Sequence, residues 1–361
     1  MDLPFVSVVV CAHNEEALLK RCLEGLRTQT YPARLYEVVI IDDESTDATF
    51  SIAETFIRSL PSEGTAFHLA TIERGGLSIA RNAGIQLSQG EIIAFTDGDA
   101  IAYPDWLERL IAPFMGQADF VGGKIELLNA ESWVAHFLQL TRHRQEFGPS
   151  VFSNDLIGCN MAFRKGVFDF AGGFYESFDR RGDESSLRRR LEPQFTYAPA
   201  PDATVRHERP DSLMAALRTE WLSALLRPLV LQAGDHAISW KRLIAYAEMF
   251  CIAGLPLWFL LLGAAPLAAA GLLMITGVAF VRRLAGRRLS RSIFKDLAQS
   301  FGTAKALLMS ACYLYLHSSI HLFGSLVGYW TYRRTKLVKP LTTPLKIKRR
   351  LSNFDLLSSD R

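Results

Sequence analysis

Short apolar runs and longer amphipathic segments alternate along roughly the first hundred residues of the chain. The apolar runs are rich in β-branched residues and have the length of buried strands; they cover residues 5–10, 36–41, 67–72 and 91–95. The segments between them repeat apolar residues at helical spacing; they cover residues 18–26, 48–60 and 78–87. This alternation predicts an α/β fold with a mostly parallel, Rossmann-like sheet and helices on both of its faces.

Polar and acidic residues follow three of these predicted strands. They are Asn14, Glu15, Asp43, Asp97 and Asp99. Because the carboxyl ends of parallel strands meet at one edge of a sheet, we expect these side chains to converge. Neighbouring carboxylates repel each other unless a cation lies between them, and Mg²⁺ or Mn²⁺ accepts oxygen ligands and bridges to phosphates. The pattern therefore predicts a divalent cation that holds a diphosphate at Asp97 and Asp99, with a plain Asp-Gly turn as the alternative.

Four motifs in this region carry a family resemblance. They are Cys11-Ala12-His13-Asn14-Glu15-Glu16, Asp42-Asp43-Glu44-Ser45-Thr46-Asp47, Ala80-Arg81-Asn82-Ala83-Gly84 and Asp97-Gly98-Asp99. In order and spacing, they resemble the successive motifs of family 2 glycosyltransferases over roughly the first 210 residues. The resemblance implies a GT-A fold, a UDP- or GDP-sugar donor and inversion at the anomeric carbon.

The resemblance also implies roles for individual residues. The implied donor-binding residues are His13, Asn14, Glu15, Asp43, Arg81 and Asp97. Glu15 and Asp43 would contact the nucleoside, and Asp43 would contact its base. Asp97 would lie near the ribose and diphosphate, and Asp99 would be a metal ligand. His207 would contact the metal or the diphosphate, although a lone histidine is more often packed or solvated. Asn160 and Glu176 fall in the region that forms the floor for sugar and acceptor.

Asp183 and Glu184 resemble the family's Glu-Asp base motif in reversed order. Alignment on the flanking Gly182 and Leu187 puts Glu184 where the family has its catalytic aspartate. An inverting transfer needs a base beside the acceptor hydroxyl, and either carboxylate can serve. We expect Glu184 to be the catalytic base, with Asp183 as the alternative. A charged helix start at these residues is compatible with that role.

Charge and cysteine content exclude other classes of protein. The formal net charge is +3, too small to indicate nucleic-acid binding. The five cysteines are scattered and form neither a Cys-x-x-Cys pair nor a disulfide framework, which favours a reducing compartment. Cys159 is a candidate nucleophile in principle, but no base is apparent beside it in the sequence and sugar transfer from a nucleotide donor needs no such nucleophile. The N-terminal residues lack the pattern of a signal peptide.

The C-terminal half predicts association with a membrane. Residues 249–281 and 306–332 contain no Asp, Glu, Lys or Arg, and both stretches exceed the ~20 residues that span a bilayer. We expect a catalytic domain over residues 1–210, an amphipathic interfacial linker over 211–247, two or three membrane helices over 248–332, and a basic tail over 333–361. We expect the catalytic domain on the cytoplasmic face of a cell inner membrane, in a multi-pass protein. A hairpin over 249–281, rather than a single span, would then keep the basic residues of 282–295 on that face, as the positive-inside rule favours, and the same rule keeps the basic tail inside.

Together these features predict an inverting, metal-dependent transfer of a sugar to a membrane-associated lipid or polysaccharide acceptor of the cell envelope. The Gln/Arg-x-x-Arg-Trp sequence of the family's processive members is missing after the base motif, which favours addition of a single sugar. Two alternatives belong to other classes. One is a non-catalytic membrane scaffold with a degenerate transferase domain, and the other is a metal-dependent nucleotidyltransferase.

Overall fold

The computed structural model describes residues 3–61, 63–136, 138, 156–179, 181–192, 194–232, 298–299, 302–332, 334 and 346–353. The chain divides into two compact units. The first unit contains Met1–Leu128, Asn154–Glu208 and Lys336–Arg361, and the second contains Asn129–Ser153 and Arg209–Thr335.

The first unit is built around one mixed sheet. Its described strands are β1 (Val6–Ala12), β2 (Tyr36–Asp42), β3 (Ala66–Ile72), β4 (Ile92–Asp97), β5 (Ile101–Ala102), β6 (Phe120–Leu127), β7 (Met161–Arg164), β8 (Tyr197–His207) and β9 (Ile347–Ser352). Their spatial order is β5-β8-β6-β7-β4-β1-β2-β3-β9. Its described helices are α1 (Leu19–Arg27), α2 (Thr49–Arg58), α3 (Leu77–Leu87), α4 (Trp106–Ile111), α5 (Gly166–Ala171) and α6 (Asp183–Leu191).

The four strands and three helices predicted at the start of the chain are confirmed, with ends that shift by about two residues. The prediction of a mostly parallel sheet is confirmed for β1 to β4, and β6 and β8 are also parallel to each other. Strand β7 runs antiparallel to both β4 and β6, and β9 runs antiparallel to β3. The sheet is therefore mixed, because the chain returns to its edges after the parallel half has formed.

Both faces of the sheet carry a hydrophobic core, as the uninterrupted apolar runs predict. On one face, Val8 and Val10 pack with Leu23 of α1 and Trp106 of α4. On the other face, Val9 packs with residues of α3. All seven residues of β1 are buried, which is typical of a central parallel strand with both faces covered.

The C-terminal residues belong to the first unit, which differs from the predicted basic tail over 333–361. Strand β9 pairs with β3 from His68↔Ser352 to Ile72↔Ile347. The Asn353 amide oxygen accepts a hydrogen bond from the Phe67 backbone N–H at 2.8 Å. Pairing with the open edge of β3 satisfies backbone groups that would otherwise face water. The predicted catalytic boundary at residue 210 therefore omits a strand of the sheet.

The second unit contains two long helices among its described residues, α7 (Leu213–Gln232) and α8 (Thr303–Tyr332). They pack against each other, and the His321 imidazole lies 3.2 Å from the Glu220 carboxylate. Within the described chain, no helix has both the length and the apolar character needed to cross a bilayer. The predicted membrane stretch over 249–281 lies outside the described residues, and so does the part of the predicted 211–247 linker that follows α7, residues 233–247.

Candidate active site

The loops that follow β1, β2 and β4 meet at one edge of the sheet. The strand register pairs Ala12 with Asp42 and Cys11 with Asp97, so the three strands end side by side. This brings His13, Asn14, Glu15, Asp43, Asp97 and Asp99 to the same edge. The convergence expected from the sequence is present, because parallel strands in register deliver their next residues to one place.

A set of local hydrogen bonds joins the loops after β1 and β2. His13 Nδ1 donates to the Asp43 carbonyl at 2.9 Å, and the Asn14 side-chain oxygen accepts from the Thr46 N–H at 2.8 Å. Asn14 has φ 58°, a conformation that asparagine tolerates better than most residues. At the start of α2, the Asp47 carboxylate accepts from the Thr49 N–H at 2.9 Å. His13 and Asn14 therefore hold the loops after β1 and β2 together. Their predicted contacts with the donor would be made in the same loops.

Asp43 organises the loop after β3. Its carboxylate accepts from the Gly75 N–H at 2.8 Å and the Gly76 N–H at 2.9 Å, and it pairs with the Arg74 guanidinium. The Asp43 side chain is buried, whereas Arg74 is partly exposed. A nucleoside base that contacts Asp43, as the resemblance implies, would therefore meet Arg74 in the same place. Sequence reasoning did not single out Arg74, although its position before Gly75-Gly76 and the start of α3 is typical of a ligand-binding turn.

Arg81 is the buried centre of the acidic cluster. It lies on α3, and its guanidinium donates to Asp183 Oδ2 at 2.5 Å and to Asp97 Oδ1 at 3.2 Å. The Glu184 carboxylate lies 4.0 Å from the same guanidinium. Asp183 is fully buried, while Glu184 is 22% exposed. Arg81 thus connects the end of β4 to the start of α6, which lie 86 residues apart along the chain (positions 97 and 183).

The two carboxyl groups at the start of α6 have opposite electrostatic surroundings. Burial opposes ionisation of Asp183, but the charge of Arg81 and the hydrogen bonds to Glu184 and Arg81 together lower the pKa of that carboxyl. Burial and the adjacent Asp183 charge raise the pKa of Glu184 well above its usual value. Groups whose pKa values are pushed apart in this way are typical of acid–base pairs at active sites. Glu184 is consequently the partly exposed carboxyl with a raised pKa, and Asp183 is the buried ionised partner of Arg81.

A second cluster of potential ligands lies at the end of β4. The Asp97 carboxylate, the Cys159 thiol and one His207 ring nitrogen lie within 4.8 Å of one another. His207 Nδ1 donates to the Glu208 carbonyl at 2.5 Å, and its Nε2 lies 3.2 Å from Asp99 Oδ2. A backbone acceptor at Nδ1 fixes the ring and leaves Nε2 towards the cluster, as is usual for metal-binding histidines.

The charges of this region fit a divalent cation. Burial raises the pKa of Asp97, and the neighbouring Asp99 carboxylate adds to that effect against the opposing charge of Arg81. Burial and then the charges of Asp99 and Asp97 raise the pKa of Glu15 to about 8. Against burial, the hydrogen bond and charge of His207 lower the pKa of Asp99. The Asp97, Asp99 and Glu15 carboxyl groups thus lie close together at one edge of the sheet, with His207 and Arg81 as the opposing charges. A cation bound by Asp97, Asp99 and His207 would relieve this repulsion.

Asn160 and Glu176, the two residues predicted to form the floor for sugar and acceptor, do not belong to the cluster around Asp97. Asn160 is fully buried; its amide group donates to the Lys124 and Ala203 carbonyls and its oxygen accepts from Trp106 Nε1. A contact between Asn160 and a sugar would require this network to open. Glu176 lines a cavity of about 220 Å³ beside Arg74 and Gly75. Its predicted role in the sugar or acceptor site stays a prediction.

Comparison with known proteins identifies the class. Residues 7–171 match the family model described as Glycosyl transferase family 2. Glycosyltransferase AglE of Haloferax volcanii is 31% identical over 211 residues, which are 57% of this chain and 67% of AglE. The glucosyl-dolichyl phosphate glucuronosyltransferase of the same organism is 28% identical over 201 residues, 50% of this chain and 58% of that protein.

A solved structure supports the same fold. Mannosyltransferase PcManGT from Pyrobaculum calidifontis, solved in complex with GDP-Man and Mn²⁺, superimposes with a TM-score of 0.58 over 93% of this chain and 89% of its own. At 18% identity, this likeness establishes the fold alone. The mixed sheet with its acidic edge is therefore a GT-A fold. The chain belongs to glycosyltransferase family 2 and is a glycosyltransferase enzyme.

Proposed function

We propose that this enzyme transfers one sugar, with inversion, from a nucleotide-diphosphate donor to a membrane-associated lipid or polysaccharide acceptor. The observation that carries the proposal is the Arg81 cluster, which ties Asp97 at the cation site to the Asp183–Glu184 pair at the start of α6. In an inverting transfer, the acceptor and the leaving diphosphate lie on opposite sides of the anomeric carbon. A base and a cation site held in one rigid network meet that requirement.

Glu184 is the proposed catalytic base. Its carboxyl group is partly exposed and its raised pKa gives it more affinity for a proton than an ordinary glutamate has. It takes the proton of the acceptor hydroxyl while the hydroxyl oxygen attacks the anomeric carbon and the bond to the diphosphate breaks. Asp183 is the proposed positioning residue, because its buried contact with Arg81 fixes the first turn of α6.

The donor is held by the edge formed after β1, β2 and β4. Glu15 and Asp43 bind the nucleoside, and Asp97, Asp99 and His207 are the residues that would hold a divalent cation. When bound, such a cation neutralises charge on the leaving diphosphate. GDP-Man and Mn²⁺ in the PcManGT structure support a nucleotide-sugar donor and Mg²⁺ or Mn²⁺ for this fold.

A lipid-linked acceptor at a membrane is the proposed second substrate. The name of the Haloferax volcanii glucuronosyltransferase, which includes glucosyl-dolichyl phosphate, supports a lipid-linked acceptor. The uncharged stretch over residues 249–281 and the exposed Leu326, Tyr329 and Trp330 of α8 support contact with a bilayer. We propose a cytoplasmic catalytic unit on an inner membrane.

A donor-hydrolysis and transfer assay tests the proposal. The detergent-purified chain is incubated with Mg²⁺ or Mn²⁺, a panel of nucleotide sugars and a membrane lipid extract, and release of nucleoside diphosphate is recorded. Release from one donor that is lost in Asp99→Asn and Glu184→Gln, but kept in the surface control Glu54→Gln, supports the function. The anomeric configuration and length of the product are then read by NMR and mass spectrometry. Normal turnover of Asp99→Asn would contradict the role of Asp99 as a cation ligand. A product with retained anomeric configuration would contradict inversion, and a long polymer would contradict addition of a single sugar.

A further inference from the structure

A group of polar side chains lies on one face of strands β5, β8 and β6. In the strand register, Ile101 of β5 and Glu126 of β6 both pair with Arg206 of β8. Residues in register on neighbouring strands lie on the same face of a sheet, and so do residues two positions apart along one strand. Lys124 and Tyr103 therefore share this face with Glu126 and Arg206. We call these four residues the Arg206 surface.

The proposed base Glu184 belongs to a helix that packs on the same face of the sheet. Phe120 lies four residues before Lys124 on β6, so both side chains are on that face. Leu187 of α6 packs in one hydrophobic cluster with Phe120. The Arg206 surface and Glu184, at the start of α6, are therefore on the same side of the sheet.

The Arg206 surface lies at the edge of the sheet that carries the cation site. Arg206 directly precedes His207, the last residue of β8, and His207 Nε2 lies 3.2 Å from Asp99 Oδ2. Successive side chains of a strand point to opposite faces, so Arg206 and His207 are on opposite faces of β8. Arg206 therefore does not belong to the set of cation ligands. It is placed for a ligand that approaches Glu184 from the side of α6.

Three members of the Arg206 surface are joined by hydrogen bonds, and Arg206 is not. The Glu126 carboxylate accepts from the Tyr103 hydroxyl at 2.9 Å and from the Lys124 amino group at 2.7 Å. Among the described residues, the Arg206 guanidinium has neither a hydrogen-bond acceptor nor a carboxylate within ion-pair distance, and its Nε atom is buried. It contacts the Tyr103 ring instead, with 5.4 Å between Cζ and the ring centroid.

This state of Arg206 differs from that of other buried arginines in the described part of the chain. Arg81, Arg188 and Arg190 also have a buried nitrogen without a partner, but their other nitrogens donate to carboxylates or carbonyls. A buried donor without an acceptor lowers stability unless a ligand or water pairs with it. The Arg206 guanidinium is therefore available to an anionic ligand.

The chemistry of the Arg206 surface suits a phosphate group. Its two basic residues outnumber its one acidic residue, so it attracts anions. The planar guanidinium donates two parallel hydrogen bonds to phosphate oxygens, which a lysine cannot do. Tyr103 and Lys124 are 37% and 40% exposed, so a ligand can reach the surface from solvent.

We propose that Arg206 binds a phosphate group of the acceptor, with Lys124 beside it. The phosphate belongs either to a lipid or to a soluble or polymeric molecule, because the guanidinium recognises the same oxygens in both. The assignment of this phosphate to the acceptor rests on the proposed function, in which Glu184 on the same side of the sheet takes the acceptor proton. The phosphate site itself is tested by binding alone.

Equilibrium binding tests this site without any sugar transfer. The detergent-purified chain is titrated by calorimetry with farnesyl phosphate, with its uncharged alcohol farnesol and with glycerol 3-phosphate. The variants are Arg206→Gln, the conservative Arg206→Lys and the matched control Arg58→Gln, which removes an arginine charge from an exposed pair with Glu54. Titration with UDP and GDP in the presence of Mn²⁺ measures the donor site in each variant, and thermal melts establish that each is folded.

We expect the unmodified chain to bind farnesyl phosphate about tenfold or more tightly than farnesol, because hydrogen bonds between charged groups are strong. Arg206→Gln should abolish this difference, Arg206→Lys should keep part of it and Arg58→Gln should keep all of it. Affinity for the nucleoside diphosphates should change by less than about threefold. Glycerol 3-phosphate that binds as tightly as farnesyl phosphate would identify a soluble or polymeric phosphate, and weaker binding would identify a lipid phosphate.

Three results would each overturn the inference: equal binding of farnesyl phosphate and farnesol, a phosphate preference that survives in Arg206→Gln, or loss of nucleoside diphosphate binding in that variant. The transfer assay separates this inference from the proposed function. Phosphate binding through Arg206 in a chain that transfers no sugar would contradict only the proposed function. Full transfer by Arg206→Gln would contradict only the inference.

Discussion

Arg81 pairs with Asp183 at 2.5 Å but lies 4.0 Å from Glu184, the next residue on the same helical turn. This difference separates the roles of two adjacent carboxyl groups that the sequence presents as equivalent. We predict that Glu184→Gln lowers the transfer rate by about 10²–10⁴-fold, because the amide cannot take the acceptor proton. Donor affinity and melting temperature should change little. Turnover with saturating donor and acceptor, beside a thermal melt, measures both; a rate within about threefold of the unmodified enzyme would contradict this role.

Loss of Asp183 should instead destabilise the fold. Asp183 and Arg81 are both fully buried, so Asp183→Ala leaves the guanidinium without its nearest carboxylate. Removing one member of a buried ion pair typically costs about 3–5 kcal/mol. We predict a loss of that size in the free energy of unfolding, measured by urea denaturation. Glu184→Ala is the matched control on the same turn and should cost much less, because its side chain is partly exposed. Equal stability losses for the two variants would argue against this assignment.

The parallel half of the sheet and its acidic edge were predictable from local sequence. The buried strands of the parallel half appear as short apolar runs, and the loop residues after β1, β2 and β4 follow those runs directly. The ion pair between Arg81 and Asp183 was not predictable in this way, because it joins residues 102 positions apart. The proximity of Cys159 to Asp97 has the same cause: a turn before β7 returns to the end of β4, and no local pattern records that return.

Strand β9 was missed for a different physical reason. Its sequence Ile-Lys-Arg-Arg-Leu-Ser carries three basic residues in six, so composition alone indicates a solvated tail. The charges are compatible with an edge strand because four of its six residues are exposed, while Ser352 is buried. Its partner β3 lies about 280 positions earlier in the chain, and only the fold brings the two together.

The pH dependence of transfer should follow the raised pKa of Glu184. Burial and the Asp183 charge favour the protonated form, and only the ionised form can act as a base. We therefore predict that kcat/KM rises with pH through a value above the 4.5 of an ordinary glutamate. A kcat/KM profile recorded between about pH 5 and 9 measures it. An activity already at its maximum at the acidic end, with no rising limb, would show that no group with a raised pKa acts as the base.

Glu15 should make the cation-free protein less stable as the pH rises. Its pKa is raised from 4.5 to about 8 by burial and then by Asp99 and Asp97, so the folded state keeps a proton that the unfolded state has lost. Between these two values, stability falls with rising pH, because the folded state binds more protons than the unfolded state. Melting temperatures in a chelator across this range should decline in the unmodified chain and decline less in Glu15→Gln. Adding Mn²⁺ should flatten the decline. Identical slopes in the two proteins would contradict the assignment to Glu15.

The C-terminal strand should stabilise the loops that bind the donor. Lys348 pairs with Glu44, and the Glu44 carboxylate accepts from the Arg74 N–H at 2.9 Å, next to the contact between Arg74 and Asp43. Lys346 pairs with Glu73 at 2.8 Å on the same edge. Strand β9 and the preceding Lys346 thus contact both loops that surround Asp43.

We predict that deletion of residues 346–361 lowers the melting temperature and weakens donor binding by about tenfold or more, because it uncovers the edge of β3 and releases the loop that carries Arg74. Deletion of residues 354–361 is the matched control, since it keeps β9 and Asn353, and should change neither quantity. Lys348→Ala should have only a small effect, because exposed ion pairs contribute little in water. Calorimetric titration with the donor and a thermal melt measure all three variants. Unchanged donor affinity in the longer deletion would show that β9 closes the sheet without supporting the donor site.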